Sequence, residues 1–100
     1  MYGIHESVYK NLIRYFENNN YIKRVILFGS RAKGNERYNS DIDLAILCDN
    51  KYKGTAIQEI DELIGVYSSD IVFIDKIDGD IKKQVEKYGI EIYSDNKDKS

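Results

Sequence analysis

Between His5 and Asn19 the apolar residues Val8, Leu12 and Phe16 recur every four positions, and Tyr9, Ile13 and Tyr15 widen the stripe. That period predicts an amphipathic helix with a charged opposite face. Asn18, Asn19 and Asn20 break it, because short amides compete for backbone hydrogen bonds and favour helix ends and turns. Tyr21 to Phe28 is rich in β-branched and aromatic side chains and closes on the apolar run Val25-Ile26-Leu27-Phe28. Such a run predicts a strand covered on both faces, stopped here by Gly29. Gly29 to Gly34 predicts a short helical turn starting near Ser30, and residues 35–40 an exposed loop.

Asp41 to Leu47 alternates for four residues and then becomes apolar, the pattern of a central strand with Asp41 and Asp43 on one face and Ile42 on the other. After a turn over residues 49–53, Thr55 or a neighbour is expected to cap a helix carrying Ile57, Ile60, Leu63 and Ile64, ended by Gly65. Ser69 to Ile74 predicts a third strand, with Asp70 near its beginning. Asp78 or Asp80 starts a last helix containing Ile81 and Val85 that ends at Gly89, and Ile90 to Tyr93 predicts a short edge strand. Residues 94–100 are polar and aperiodic, so the expected organisation is one domain over residues 1–93 and a polar tail over 94–100. No proline, repeat or linker divides the chain. The fold class expected is α/β (α+β): a small mixed or largely antiparallel sheet, with helices packed on one face.

With 100 residues the chain has room for one small domain. Fifteen basic against seventeen acidic residues give a net charge of -2, which offers a nucleic-acid polyanion no global attraction, so direct nucleic-acid binding is not expected. A single cysteine and a single histidine exclude an internal disulfide and a structural zinc site, and fit a reducing cytoplasm. No basic-then-apolar leader and no run of about 18 apolar residues is present, so neither a signal peptide nor a membrane span is expected.

The chemistry concentrates on Asp41, Asp43 and Asp70. Side chains at i and i+2 of a strand share a face, so Asp41 and Asp43 aim at one volume, and Asp70 completes it if its strand lies alongside. Converging carboxylates raise each other's pKa unless a hard cation neutralises them, and Mg²⁺, which takes oxygen ligands and is commonly shared with substrate phosphates, is the expected one. Gly29-Ser30 is a candidate phosphate holder: glycine permits close approach, and serine adds a hydroxyl and an N–H at the start of a helical turn. Arg31 and Lys33 place positive charge nearby. The segment carries neither Gly-x-x-x-x-Gly-Lys-Ser/Thr nor Gly-x-Gly-x-x-Gly. Taken singly, the aspartates also suit turns and caps, Asp75 is an alternative to Asp70, and Arg31 and Lys33 suit salt bridges. His5 reads as a surface helix residue, Cys48 as a buried strand-end residue without a histidine partner, and the nine tyrosines as interface or core-edge residues.

Gly29-Ser30, ten intervening residues and then Asp41-Ile42-Asp43 resemble the signature of the polymerase-beta-like nucleotidyltransferase superfamily, and the small size resembles its minimal nucleotidyltransferase (MNT) branch. The resemblance implies that Gly29 and Ser30 bind nucleotide phosphates, with Arg31 and Lys33 as further candidates. It also implies that Asp41 and Asp43 hold Mg²⁺, and that Asp70 ligates metal or activates the acceptor. Lys33 stands where relatives often carry arginine, which keeps the charge but loses the planar fork. The branch further implies a hetero-oligomer with a helical HEPN-domain RNase toxin, with AMP moved from ATP to a tyrosine hydroxyl of that toxin to silence it. Two other readings stand beside this one: a non-catalytic antitoxin that acts by binding alone, and a nucleotidyltransferase for a small molecule or an RNA end.

Overall fold

A computed structural model describes residues 1–95. Helix α1 (Glu6–Asn18) buries Leu12 and Phe16, two residues of the predicted stripe. His5 does more than sit on the surface, since its ring Nδ1 accepts from the Ser7 N–H at 3.3 Å and caps the helix. Strand β1 (Ile22–Phe28) runs directly into the five-residue helix α2 (Gly29–Lys33), which Gly34 closes in a left-handed conformation. Strand β2 (Ile42–Cys48) follows the loop, and a 3-10 turn over Asn50–Tyr52 leads into α3 (Lys53–Ile64). The helix thus begins before Thr55, with no side-chain cap: the Lys53 N–H is already bonded to the Asn50 carbonyl, so the preceding turn does what a capping hydroxyl would have done. Gly65 ends α3 at φ +61. Strand β3 (Ser69–Phe73), helix α4 (Gly79–Tyr88) starting from Asp78, and strand β4 (Ile90–Ser94) complete the order. β4 extends one residue past the predicted strand, into the expected tail; residues 96–100 lie outside the described residues.

The sheet is mixed, in the order β3-β2-β1-β4, with β1 antiparallel to both β2 and β4 and β2 parallel to β3. Alternation along β1 and β2 sorts the core. Val25, Leu27, Leu44 and Ile46 face α1 and α3, where they meet Leu12, Phe16, Ile60 and Ile64. Ile26, Phe28 and Ala45 face the other way and pack with Val85 of α4. Helices therefore cover both faces, not one. The reason is topological: β3 and β4 are opposite edges of the sheet, and the chain crosses between them over the face that α1 and α3 leave open. Seven tyrosines (Tyr2, Tyr9, Tyr15, Tyr21, Tyr52, Tyr67 and Tyr93) pack against the larger core cluster, so most of them edge a small core.

Candidate active site

Asp43 is the register partner of Phe28 on β1 and of Asp70 on β3, so three consecutive strands bring Gly29, Asp43 and Asp70 to one end of the sheet. Ile42 is buried in the larger core, which turns Asp43 and, two residues earlier, Asp41 to the face occupied by α4. Asp41 lies one residue before β2, so the strand carries only Asp43 of the pair. Both Asp41 and Asp70 are exposed, and Asp43 is half-buried. The alternative acid, Asp75, lies past the other end of β3, where Lys53 Nζ donates to both its carboxylate oxygens at 3.0 and 3.1 Å. The register thus joins Asp70, and not Asp75, to the pair.

Asp43 is the electrostatic centre of this group. Burial foremost, then the charges of Asp70 and Asp41, push its carboxyl up to about 6, against an opposing pull from Arg31. Gly29 approaches it closely: at φ +74, a Cβ on Gly29 would stand 2.0 Å from Asp43 Oδ2. The glycine therefore serves the carboxylate's position. α2 starts with no side-chain cap, which leaves its first amides, next to Ser30, for another acceptor.

The two basic candidates are placed differently from a simple phosphate clamp. Arg31 is 1 % exposed. Its Nη2 donates to the Ser40 carbonyl at 2.7 Å, its Nη1 to the Tyr2 carbonyl at 3.2 Å, and its guanidinium lies 5.2 Å from the centre of the Tyr67 ring. Two backbone carbonyls and an aromatic face hold the two terminal nitrogens away from solvent, while the buried Nε has no hydrogen-bond partner among the described residues. Lys33 is exposed and reaches over the Tyr88 ring of α4 at 5.0 Å. Tyr2, Ser40 and Tyr67 were not singled out from the sequence, and nothing in their spacing marks them; they matter as partners of Arg31. Replacing Arg31 with methionine is expected to cost about 2–4 kcal/mol in urea denaturation, since it strands two carbonyls, while lysine should recover part of this. Equal stability of the methionine variant and the parent would mean that the guanidinium does not hold these segments.

Among the described residues no three His, Cys, Asp or Glu side chains stand close enough to hold an ion between them. The donor set nevertheless suits a hard divalent cation: an all-oxygen group of three acids, with a central carboxylate whose charge burial and its neighbours disfavour. Cys48, by contrast, is buried with its thiol pushed up by burial, and takes no part in this site. A cleft of about 400 Å³ between α4 and the β1–β4 edge, around Ile26, Ile77 and Val85, contains none of the three aspartates. No helix among the described residues is long and apolar enough to cross a membrane.

The family model described as "Polymerase beta, Nucleotidyltransferase" matches residues 10–98. No curated protein sequence matches the chain. Among solved structures, a chain of a toxin–antitoxin complex with AMP-PNP superposes with a TM-score of 0.67 at 25% identity, over 95% of this chain and 77% of that one. A chain of the complex between the tri-AMPylated HEPN toxin and MNT antitoxin of Shewanella oneidensis gives 0.59 at 22% identity, over 89% and 72%. A chain of the MntA–HepT toxin–antitoxin pair gives 0.60 at 22%, over 92% and 74%.

Proposed function

The chain belongs to the polymerase beta nucleotidyltransferase family, and on that premise we propose that it is an antitoxin that moves AMP from ATP to a tyrosine hydroxyl of a HEPN-domain toxin in the cytoplasm. One observation carries the reading: Gly29, Asp43 and Asp70 stand on three adjacent strand ends, with Asp43 half-buried and pushed up to about 6 by burial, Asp70 and Asp41. A structural aspartate would be stabilised as an anion by its surroundings. This one is held where its charge is disfavoured, as suits a group waiting for a cation. The likeness to a chain of a complex containing an AMPylated HEPN toxin supports the choice of acceptor, and the likeness to one bound to AMP-PNP supports that of nucleotide.

In this reading Ser30 and the first amides of α2 receive the triphosphate, while Asp41 and Asp43 would supply oxygen ligands for Mg²⁺, with Asp70 beside them. Bound there, Mg²⁺ would supply charge stabilisation on the transferred phosphoryl group and on the departing pyrophosphate. The tyrosine oxygen forms a bond to the α-phosphorus as the bond from that phosphorus to the bridging oxygen breaks, and pyrophosphate leaves. Asp70, exposed on the edge strand, accepts the phenolic proton, which an unperturbed tyrosine would hold up to a pKa of about 10. Arg31 acts from behind this site, fixing the loop that ends at Asp41 through the Ser40 carbonyl.

Incubation with MgATP and the HEPN-domain partner is expected to add about 329 Da per AMP to the partner, read by mass spectrometry. A tight complex without any mass gain would overturn transfer in favour of neutralisation by binding. Labelling of an RNA end or a small hydroxyl compound, with none on the partner, would overturn the choice of acceptor.

A further inference from the structure

Two loops meet beyond the ends of β2 and β3 that carry the acids, and between them lies a cleft of about 390 Å³ lined by Tyr38, Asn39, Ser40, Val66, Tyr67 and Ser68. One loop runs through Ser40 into Asp41, the other ends at Ser68, just before Ser69 and Asp70 open β3, and the Ile42 N–H donates to the Ser68 carbonyl at 2.9 Å to join them. In the chain, the lining residue Ser40 stands one residue before Asp41 and three before Asp43, and Ser68 stands two before Asp70. We propose that this cleft is where the acceptor segment of the partner protein docks, with Tyr38 and Val66 as its apolar anchors. The proposal rests on the reading of the chain as an AMP-transferring antitoxin, and names the surface that reading lacks.

Exposure singles these residues out. Val66 is 99% exposed and Tyr38 93%, whereas seven of the nine tyrosines pack against the core. An aromatic and an aliphatic side chain ringed by Asn39, Ser40 and Ser68 have the make-up of a protein-binding centre with a polar rim. The cleft is also pre-organised. Arg31 grips one wall through the Ser40 carbonyl and lies over the Tyr67 ring on the other, and the Tyr67 hydroxyl accepts from the His5 N–H at 2.9 Å. Fixed walls reduce the ordering cost of docking a flexible segment. Charge favours a protein over a polyanion: residues 35–40 hold one acid, Glu36, and one base, Arg37, and residues 65–69 hold neither, so no cationic track leads an RNA end to the acids. The occupant is therefore a protein segment that sets an apolar side chain between Tyr38 and Val66 and reaches the strand ends with its hydroxyl.

The test is a Tyr38→Ser/Val66→Ser double variant against the parent chain, with Ile57→Ser, exposed on α3 and outside the cleft lining, as control, all assayed with purified HEPN-domain partner. The KM for the partner is expected to rise about tenfold or more in the double variant, as for the loss of a central interface anchor, and to stay put in the control. MgATP affinity measured without partner should hold. If the parent transfers AMP and the double variant keeps its partner KM within about twofold, the docking site is wrong and the transfer reading stands. A photo-crosslinking residue at position 38 covers the other branch: it should label a partner peptide within a few residues of the modified tyrosine. If the parent forms a complex but transfers nothing, the transfer reading falls. Labelling of the partner from position 38 then still supports the surface, and no labelling overturns it.

Discussion

Asp43→Asn is expected to lower AMP transfer about a thousandfold while making the metal-free chain more stable at pH 7.5. The two effects share a cause. The carboxylate is half-buried, beside Asp70 and Asp41, and is pushed up to about 6. An aspartate in an unfolded chain titrates at about 3.9, so between those values the folded state holds the extra proton. Stability from this group is therefore full below about pH 4, and falls as the pH rises through about 6. Allowing for solvent screening at a half-exposed group, the loss is on the order of 1 kcal/mol. Asparagine keeps the shape, removes the charge and should abolish that slope in urea denaturation with chelator present. The same charge is what a divalent cation needs. Losing a ligand that stabilises the transferred phosphoryl charge costs about 4 kcal/mol in the transition state, which sets the thousandfold figure. An asparagine variant that transferred AMP at the parent rate would remove Asp43 from the site.

Gly29→Ala should be damaging on both counts, unlike Asp43→Asn. At φ +74 an L side chain costs about 1–2 kcal/mol before it touches anything. Its methyl carbon would then lie 2.0 Å from Asp43 Oδ2 and 2.9 Å from Cγ. That carboxylate cannot retreat within its own strand, because the Asp43 backbone is paired to Phe28 on one side and Asp70 on the other. Either the side chain swings out or α2 lifts from the sheet, and both separate the first amides of α2 from the acid. A stability loss of about 2–4 kcal/mol and a fall in transfer of about a hundredfold or more are expected, read by denaturation and by mass gain on the partner. Full transfer by the alanine variant would mean that the close approach of Gly29 to Asp43 is not part of the working site.

Local pattern carried the elements and the acids. The four-residue period of α1, the doubly covered run in β1 and the i, i+2 spacing of Asp41 and Asp43 all follow from side-chain direction, which sequence spacing determines. Strand order does not follow from spacing, so the sequence could not say that α4 would cross the face opposite α1 and α3. The same limit hid the setting of Arg31. Its neighbours in the sequence suggested a phosphate contact, but its partners Tyr2, Ser40 and Tyr67 lie 29, 9 and 36 positions away, and only the folded chain brings them to one guanidinium. Thr55 caps nothing for a local reason: a 3-10 turn can open a helix as well as a hydroxyl can, and leaves no residue-type signature.

The strand order β3-β2-β1-β4 divides the site by mechanical character. Asp43 sits on an inner strand with neighbours on both sides, whereas Asp70 sits on an edge strand with a neighbour on one side only. Edge elements open locally at lower free energy than the central strands, which open only near the global limit. The inner strand that carries Asp43 is thus clamped on both sides by the fold, whereas the edge strand that carries Asp70 can open locally. On the proposed function, that asymmetry lets an acceptor hydroxyl come and go beside Asp70 while the setting of Asp43 keeps its shape.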